Sequence, residues 1–196
     1  MKKYLVALWL VLLACITGGL FWYNEYRYSL PTPLPAHYKA VQNGVRIPVD
    51  AYPGLRSGKP VLLHFFNPEC PCSRFNITHV KQLMHDFSGK IEVAIVVVSK
   101  KSFSGEDIRA QFGLENVAVI ADQGLSALCG VYSTPQAVIL DKNRTLFYRG
   151  NYNRARYCTD AKTAYAQQAI TDLLSSRPMS HLPAFATRAY GCSLNE

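Results

Sequence analysis

Residues 61–72 read VLLHFFNPECPC. Six residues, five of them apolar, have the length of a buried strand, and Asn67-Pro68 closes the run. Beyond the cysteines, apolar residues fall at Phe75, Val80, Leu83, Met84 and Phe87, with helical spacing from Val80 onward and a stop at Ser88-Gly89. Cys70-Pro71-Cys72 therefore occupies a strand-to-helix turn, with two thiols separated by a single proline.

Working outward, strand and helix patterns continue to alternate. Ile91–Val98 (IEVAIVVV) is the most β-like stretch and reads as a central strand. A short helix is expected over Gly105–Phe112, a strand over Val117–Ala121 and a helical turn over Leu125–Cys129. Gln136–Leu140 and Thr145–Arg149 flank the turn Asp141-Lys142-Asn143-Arg144 as a hairpin. Thr159 or Asp160 can cap a last helix that Pro178 terminates. The early alternation implies parallel strands joined by crossover helices. The late hairpin adds an antiparallel edge, giving a mixed sheet with helices on both faces.

Upstream, residues 4–23 (YLVALWLVLLACITGGLFWY) carry no charge and follow Lys2 and Lys3. Twenty helical residues reach roughly 30 Å, the thickness of a bilayer core. Tyr4 at one end and Phe21, Trp22 and Tyr23 at the other suit the two interfaces, and the lysines favour a cytoplasmic N-terminus. An uncleaved anchor is the expectation. The rivals are a cleaved signal peptide and a lipoprotein site at Cys15, but the apolar run continues well past Cys15. Pro31, Pro33 and Pro35 then alternate, as in an extended spacer. The expected organisation is an anchor over 1–25, a linker over 26–40 and one domain over 41–196.

The 196 residues are 49% hydrophobic and 17% charged, with a formal net charge of +8. The basic residues are dispersed and form no nucleic-acid-binding motif. The densest group, Arg144, Arg149, Arg154 and Arg156 with Lys142, reads as a solvated face.

Four segments carry a family resemblance. VLLHFFNPECPC resembles the strand-to-helix turn of thioredoxin-like proteins. Gly130–Asp141 (GVYSTPQAVILD) is similar to that family's segment with a cis-proline before a strand, and Tyr148-Arg149-Gly150 to the strand after it. Thr187–Leu194 (TRAYGCSL) is similar to the tail of some bacterial redoxins. The closest group is the membrane-tethered TlpA-like and AhpC/TSA-type redoxins. The resemblance implies a thioredoxin-like three-layer α/β/α sandwich with a mixed central sheet, here behind one transmembrane helix. It further implies a thiol–disulfide oxidoreductase of the bacterial inner membrane with its domain in the periplasm. The partners would be protein or small-molecule thiols and disulfides, with the membrane engaged through residues 4–23 and neither nucleic acid nor a cofactor involved. The usual spacing of the family pair is C-x-x-C. Here it is C-x-C, and Ser73 stands where the second cysteine would be.

The chemistry of the turn agrees. A thiol at a helix N-terminus faces unpaired N–H groups and the positive end of the dipole, both favouring thiolate, the species that attacks disulfides. Cys70 is the expected attacking thiol and Cys72 the resolving one. Pro135, preceded by Thr134, is the expected edge beside which an extended substrate lies. A bridge between Cys158, after the hairpin, and Cys192, in the returning tail, is the preferred structural disulfide. Cys129 reads as a small buried residue. Two other readings stay open. One is a copper-binding or metallochaperone module, since paired thiolates suit Cu(I) and a third ligand from His64, His79, His85 or Cys192 would help. The other is a redox-inactive scaffold. His64, within the apolar strand, reads as a core histidine, and His79 and His85 as helix-surface residues. No metal site is assigned from spacing.

Overall fold

The computed structural model describes residues 2–26, 30–52, 54–55 and 58–194. Helix α1 spans Lys2–Phe21 and continues as a π-helical turn over Trp22–Tyr26. None of its residues is buried by the rest of the chain, and with a mean hydropathy of 2.3 it is long and apolar enough to cross a membrane.

The domain is built on β1 (Val61–Phe66), α2 (Pro71–Asp86), β2 (Glu92–Val97), α3 (Gly105–Phe112), β3 (Ala118–Ile120), α4 (Gly124–Cys129), β4 (Ser133–Thr134), β5 (Gln136–Leu140) and β6 (Leu146–Gly150). A 3₁₀ turn over Ala161–Thr163, α5 (Tyr165–Leu174), α6 (Ala184–Thr187) and β7 (Cys192–Ser193) complete it. The main sheet has the order β3-β2-β1-β5-β6. β1, β2 and β3 run parallel, whereas β5 is antiparallel to β1 and β6 to β5. This is the three-layer thioredoxin-like sandwich with a mixed sheet.

Strand alternation divides the core in two. Leu62, Phe66, Ile95 and Val97 face α2, α3 and α5 through Val80, Leu83, Ile108, Ala169 and Ile170. Leu63, Phe65, Ala94 and Val96 face the opposite way, onto α4 through Leu125 and Cys129 and onto Ile47, Val49 and Leu55. Both faces of β1 are therefore buried, which is why VLLHFF is a continuous apolar run rather than an alternating one. The last helix starts later than its capping signal. Asp160 does cap, but it caps the 3₁₀ turn by accepting from Lys162 N–H at 3.0 Å.

The spacer lies against the domain. Residues 27–29 are outside the described residues. From Pro31 onward the chain bridges to Tyr190, Thr32 N–H donates to Ala189 O at 2.9 Å, and Tyr38 O–H donates to Gly130 O at 3.0 Å. Only part of the basic stretch is a solvated face: Lys142 and Arg154 are exposed, whereas Arg144, Arg149 and Arg156 are not. Arg144 is 3% exposed; its guanidinium donates to Lys59 O at 2.7 Å and to Leu55 O, and pairs with Asp50. Arg149 donates to Val41 O at 2.7 Å and to Cys129 O at 3.2 Å. These arginines tie loops to the sheet because loop carbonyls buried there need donors.

Candidate active site

The turn ahead of α2 is held by its own polar groups. Asn67 Oδ1 accepts from Glu69 N–H at 2.9 Å, and Asn67 O accepts from Cys70 N–H at 3.0 Å. Cys70 is the N-cap, extended at φ −80°, and no side chain caps the helix. Pro71 takes the first helical position, where a missing N–H loses nothing. The unpaired amides and the dipole of α2 thus begin at Cys70. Ser73, in place of the family's second cysteine, is fully buried, and its Oγ accepts from Asn67 N–H at 3.3 Å.

Opposite this turn, the Thr134–Pro135 peptide is cis. β4 ends at Thr134 and pairs antiparallel with β7, so Thr134 lies across from Cys192. The tail comes this close because residue 191 is glycine. Its φ is +119°, and a Cβ there would collide with the Thr134 carbonyl oxygen. Ser133 Oγ donates to Cys192 O at 3.1 Å, and Leu194 N–H donates to Tyr132 O at 3.1 Å, fixing the tail on both sides.

Cys70 and Cys192 form a disulfide, with Cα atoms 6.1 Å apart. This corrects the expected Cys158–Cys192 bridge. Pairing of β7 with β4 places Cys192 beside the residue before Pro135, directly against the N-cap of α2. Cys158 is held elsewhere, in a turn closed by Cys158 N–H donating to Ala155 O at 2.9 Å, and its Sγ receives Asn76 Nδ2 at 2.9 Å. Cys158 and Cys129 are free thiols. Burial pushes both up to about 12.

Cys72 is also free and fully buried. Its sulfur and those of Cys70 and Cys192 all lie within 4.8 Å of one another. Burial raises the Cys72 thiol, and the guanidinium of Arg156 opposes that rise by charge and hydrogen bond. Sequence reasoning missed Arg156. It donates to Glu25 Oε1 at 2.6 Å, and its head lies over the rings of Phe75 and Tyr157 at 5.2 and 4.8 Å. Glu25 belongs to the end of the apolar helix, so that helix's last turn touches the residue that faces the Cys72 thiol.

The histidines separate. His64 is fully buried, with Nδ1 2.8 Å from the Tyr152 hydroxyl, and burial lowers it to about 3. His79 packs edge-on against Tyr152 and is lowered by burial, so it is not a free surface residue. His85 is exposed beside Asp86. Of the four candidates for a third ligand, Cys192 alone joins the two cysteines of the turn.

Solved structures share this architecture. A hypothetical protein from Sinorhizobium meliloti 1021 superposes with a TM-score of 0.61 at 16% identity, covering 80% of this chain and 95% of that one. An uncharacterized conserved protein from Geobacillus kaustophilus gives 0.61 at 15%, covering 83% and 97%. A structure described as a candidate thiol:disulfide interchange protein DsbE from Chlorobium tepidum gives 0.55 at 21%, covering 69% and 99%. These identities establish a common fold. No curated protein matches the sequence. Residues 42–194 match the family described as domain of unknown function DUF6436, and the chain belongs to that family.

Proposed function

We propose that this chain is a thiol–disulfide oxidoreductase, tethered by residues 1–25 to a bacterial inner membrane with its domain, from about residue 41, on the periplasmic side. One observation carries the reading: a disulfide joins a helix-start cysteine to a strand cysteine, and a third, free thiol lies within 4.8 Å of both. A purely structural bridge needs no thiol in exchange range. Lys2 and Lys3 ahead of the span support the orientation, and a stable disulfide fits an oxidising compartment.

The burial pattern suggests the order of events. Cys70 and Cys72 are buried and Cys192 is half-buried, so an incoming thiolate meets Cys192 first. Attack there joins the substrate sulfur to Cys192 and breaks the Cys70–Cys192 bond. Cys70 leaves as thiolate into the unpaired amides of α2, which favours it as the leaving group. A second thiolate of the substrate then attacks the first substrate sulfur, forming the substrate disulfide and releasing Cys192. Two electrons pass from a protein or small-molecule dithiol to the chain. In the opposite direction the reduced chain works through Cys70: its thiolate joins one sulfur of a substrate disulfide and releases the other as a thiolate, so the substrate is reduced. Cys72 resolves mixed disulfides that form on Cys70, displacing the partner thiolate. Thr134 and Pro135 supply the edge that holds the tail, so Cys192 stands where the sulfur of a substrate was expected.

The test is exchange with a small dithiol by the full-length protein in detergent, with non-reducing gels. Cys72→Ser should accumulate mixed disulfides on Cys70 that the unaltered protein does not hold. Exchange that persists unchanged in both Cys70→Ser and Cys192→Ser would sink the reading. Protease added from the outside of sealed spheroplasts should reach residues 41–196; protection of the domain would overturn the orientation.

A further inference from the structure

We propose that the fully reduced protein binds one Cu(I) ion through the sulfurs of Cys70, Cys72 and Cys192. The donor set consists of three sulfurs, each within 4.8 Å of the others, and no histidine or carboxylate belongs to it among the described residues. Soft thiolates select Cu(I), whereas hard divalent ions take oxygen ligands and structural zinc takes four donors. Three sulfurs about 2.3 Å from a central ion stand about 4.0 Å apart in a trigonal plane, using the metal–thiolate distance known for zinc. The three sulfurs already lie within 4.8 Å of one another, and reduction of the Cys70–Cys192 bond frees that pair to separate toward this spacing.

The site is conditional on redox state. In the disulfide form two of the three sulfurs are bonded to each other, and only Cys72 remains as a donor. A reducing dithiol donates two electrons and two protons to the Cys70–Cys192 bond and becomes a disulfide itself. The result is two thiols beside the third. Binding of Cu(I) displaces the thiol protons, so three thiolates and one monovalent cation leave a net charge of −2. The Arg156 guanidinium and the amide end of α2 lie on that charge. Cys192 is the least buried of the three and is the side from which an ion enters by ligand exchange. The inference does not rest on the exchange reaction, although it uses the same sulfurs.

The experiment titrates Cu(I) into full-length protein in detergent under anaerobic conditions, against a chromophoric Cu(I) chelator. The protein is first reduced with a phosphine that is then removed. A Cys129→Ala/Cys158→Ala background excludes the lone thiols of the domain. The expected result is one Cu(I) per chain, three sulfur neighbours by X-ray absorption, no competitive binding in the disulfide form, and at least a 100-fold weaker site in Cys192→Ser. Serine is close in size to cysteine, and circular dichroism of that variant confirms that it is folded. Equal affinity in Cys192→Ser, equal binding by the disulfide form, or tighter retention of Zn(II) than Cu(I) would each overturn the site. Dithiol exchange measured on the same preparation separates the two readings: exchange without copper binding removes this inference alone, and copper binding without exchange removes only the oxidoreductase.

Discussion

The domain holds two kinds of buried cysteine. Cys129 ends α4 in one half of the core, and Cys158 sits in a turn against α2; each is pushed up to about 12 by burial. Cys72 is just as buried, and burial raises it too, yet a guanidinium opposes the rise and two further sulfurs stand within 4.8 Å. Burial therefore does not separate a working thiol from an inert one here. What separates them is the neighbourhood: a second sulfur to exchange with, a positive charge, and the open end of a helix. Cys158 has one amide donor, and Arg149 donates to the carbonyl of Cys129 rather than to its sulfur, whereas Arg156 bonds the Cys72 thiol itself; the first two are too little to offset desolvation.

The largest effect that tests this contrast is loss of the hub sulfur. Cys70→Ser should reduce dithiol exchange to the uncatalysed rate, because both the disulfide and the attacking thiol go with it. Exchange left within tenfold of the original rate would move the chemistry elsewhere. Next comes Cys192→Ser, for which we expect a drop of about 10- to 100-fold, because the sulfur that an incoming thiolate meets first is gone.

Arg156→Gln should have a smaller effect. It removes the charge that lowers the Cys72 thiol, so in the reduced protein the pH midpoint for alkylation of Cys72 should rise and its reactivity at neutral pH should fall. Glu25→Gln should shift it by less and in the opposite direction, because Glu25 raises that thiol. Equal shifts at Cys129 would show that the change was a general loosening of the fold.

The smallest effect on exchange is expected from the lone thiols, with Cys129→Ala leaving the rate within about twofold. Their signature lies in stability. Each is raised from an ordinary 9.0 to about 12, so the folded state holds a proton that the unfolded state releases. Their contribution is complete below pH 9 and is lost as pH rises toward 12. Urea midpoints measured over that range should fall, and fall less steeply in Cys129→Ala. His64 acts at the other end. Lowered from 6.5 to about 3, it adds stability that is complete above 6.5 and is lost as pH falls toward 3.

Most of the sheet was legible because its signals are local. VLLHFF, IEVAIVVV and QAVIL are short apolar runs of strand length, and the Asp141 turn closes as a turn should, with Oδ1 accepting from Asn143 N–H and Thr145 N–H at 2.8 Å each. The site was half legible for the same reason. Cys70 announces itself by proximity to Cys72 and a helix start, whereas its partner is 122 residues away and is brought there by a two-residue strand that no periodicity reveals. Arg156 was misread as solvated because its ion-pair partner, Glu25, lies on the far side of the sequence. The docked spacer was misread because Thr32 and Tyr38 satisfy carbonyls on the tail and beyond α4, contacts that exist only once the chain has folded.

The separation of 122 residues has a consequence for the chain as a covalent object. The Cys70–Cys192 link closes a ring around nearly the whole domain, from the start of α2 to the tail. By the chain-entropy relation, a ring of that size restrains the unfolded ensemble by about 5 kcal/mol, whereas a link between Cys70 and Cys72 would restrain almost nothing. Transfer of the bond within the three-sulfur cluster thus converts a lasso into an open chain without adding or removing an electron. The domain's resistance to unfolding and to proteolysis would then report which sulfur holds the bond, a quantity that counting thiols does not reveal.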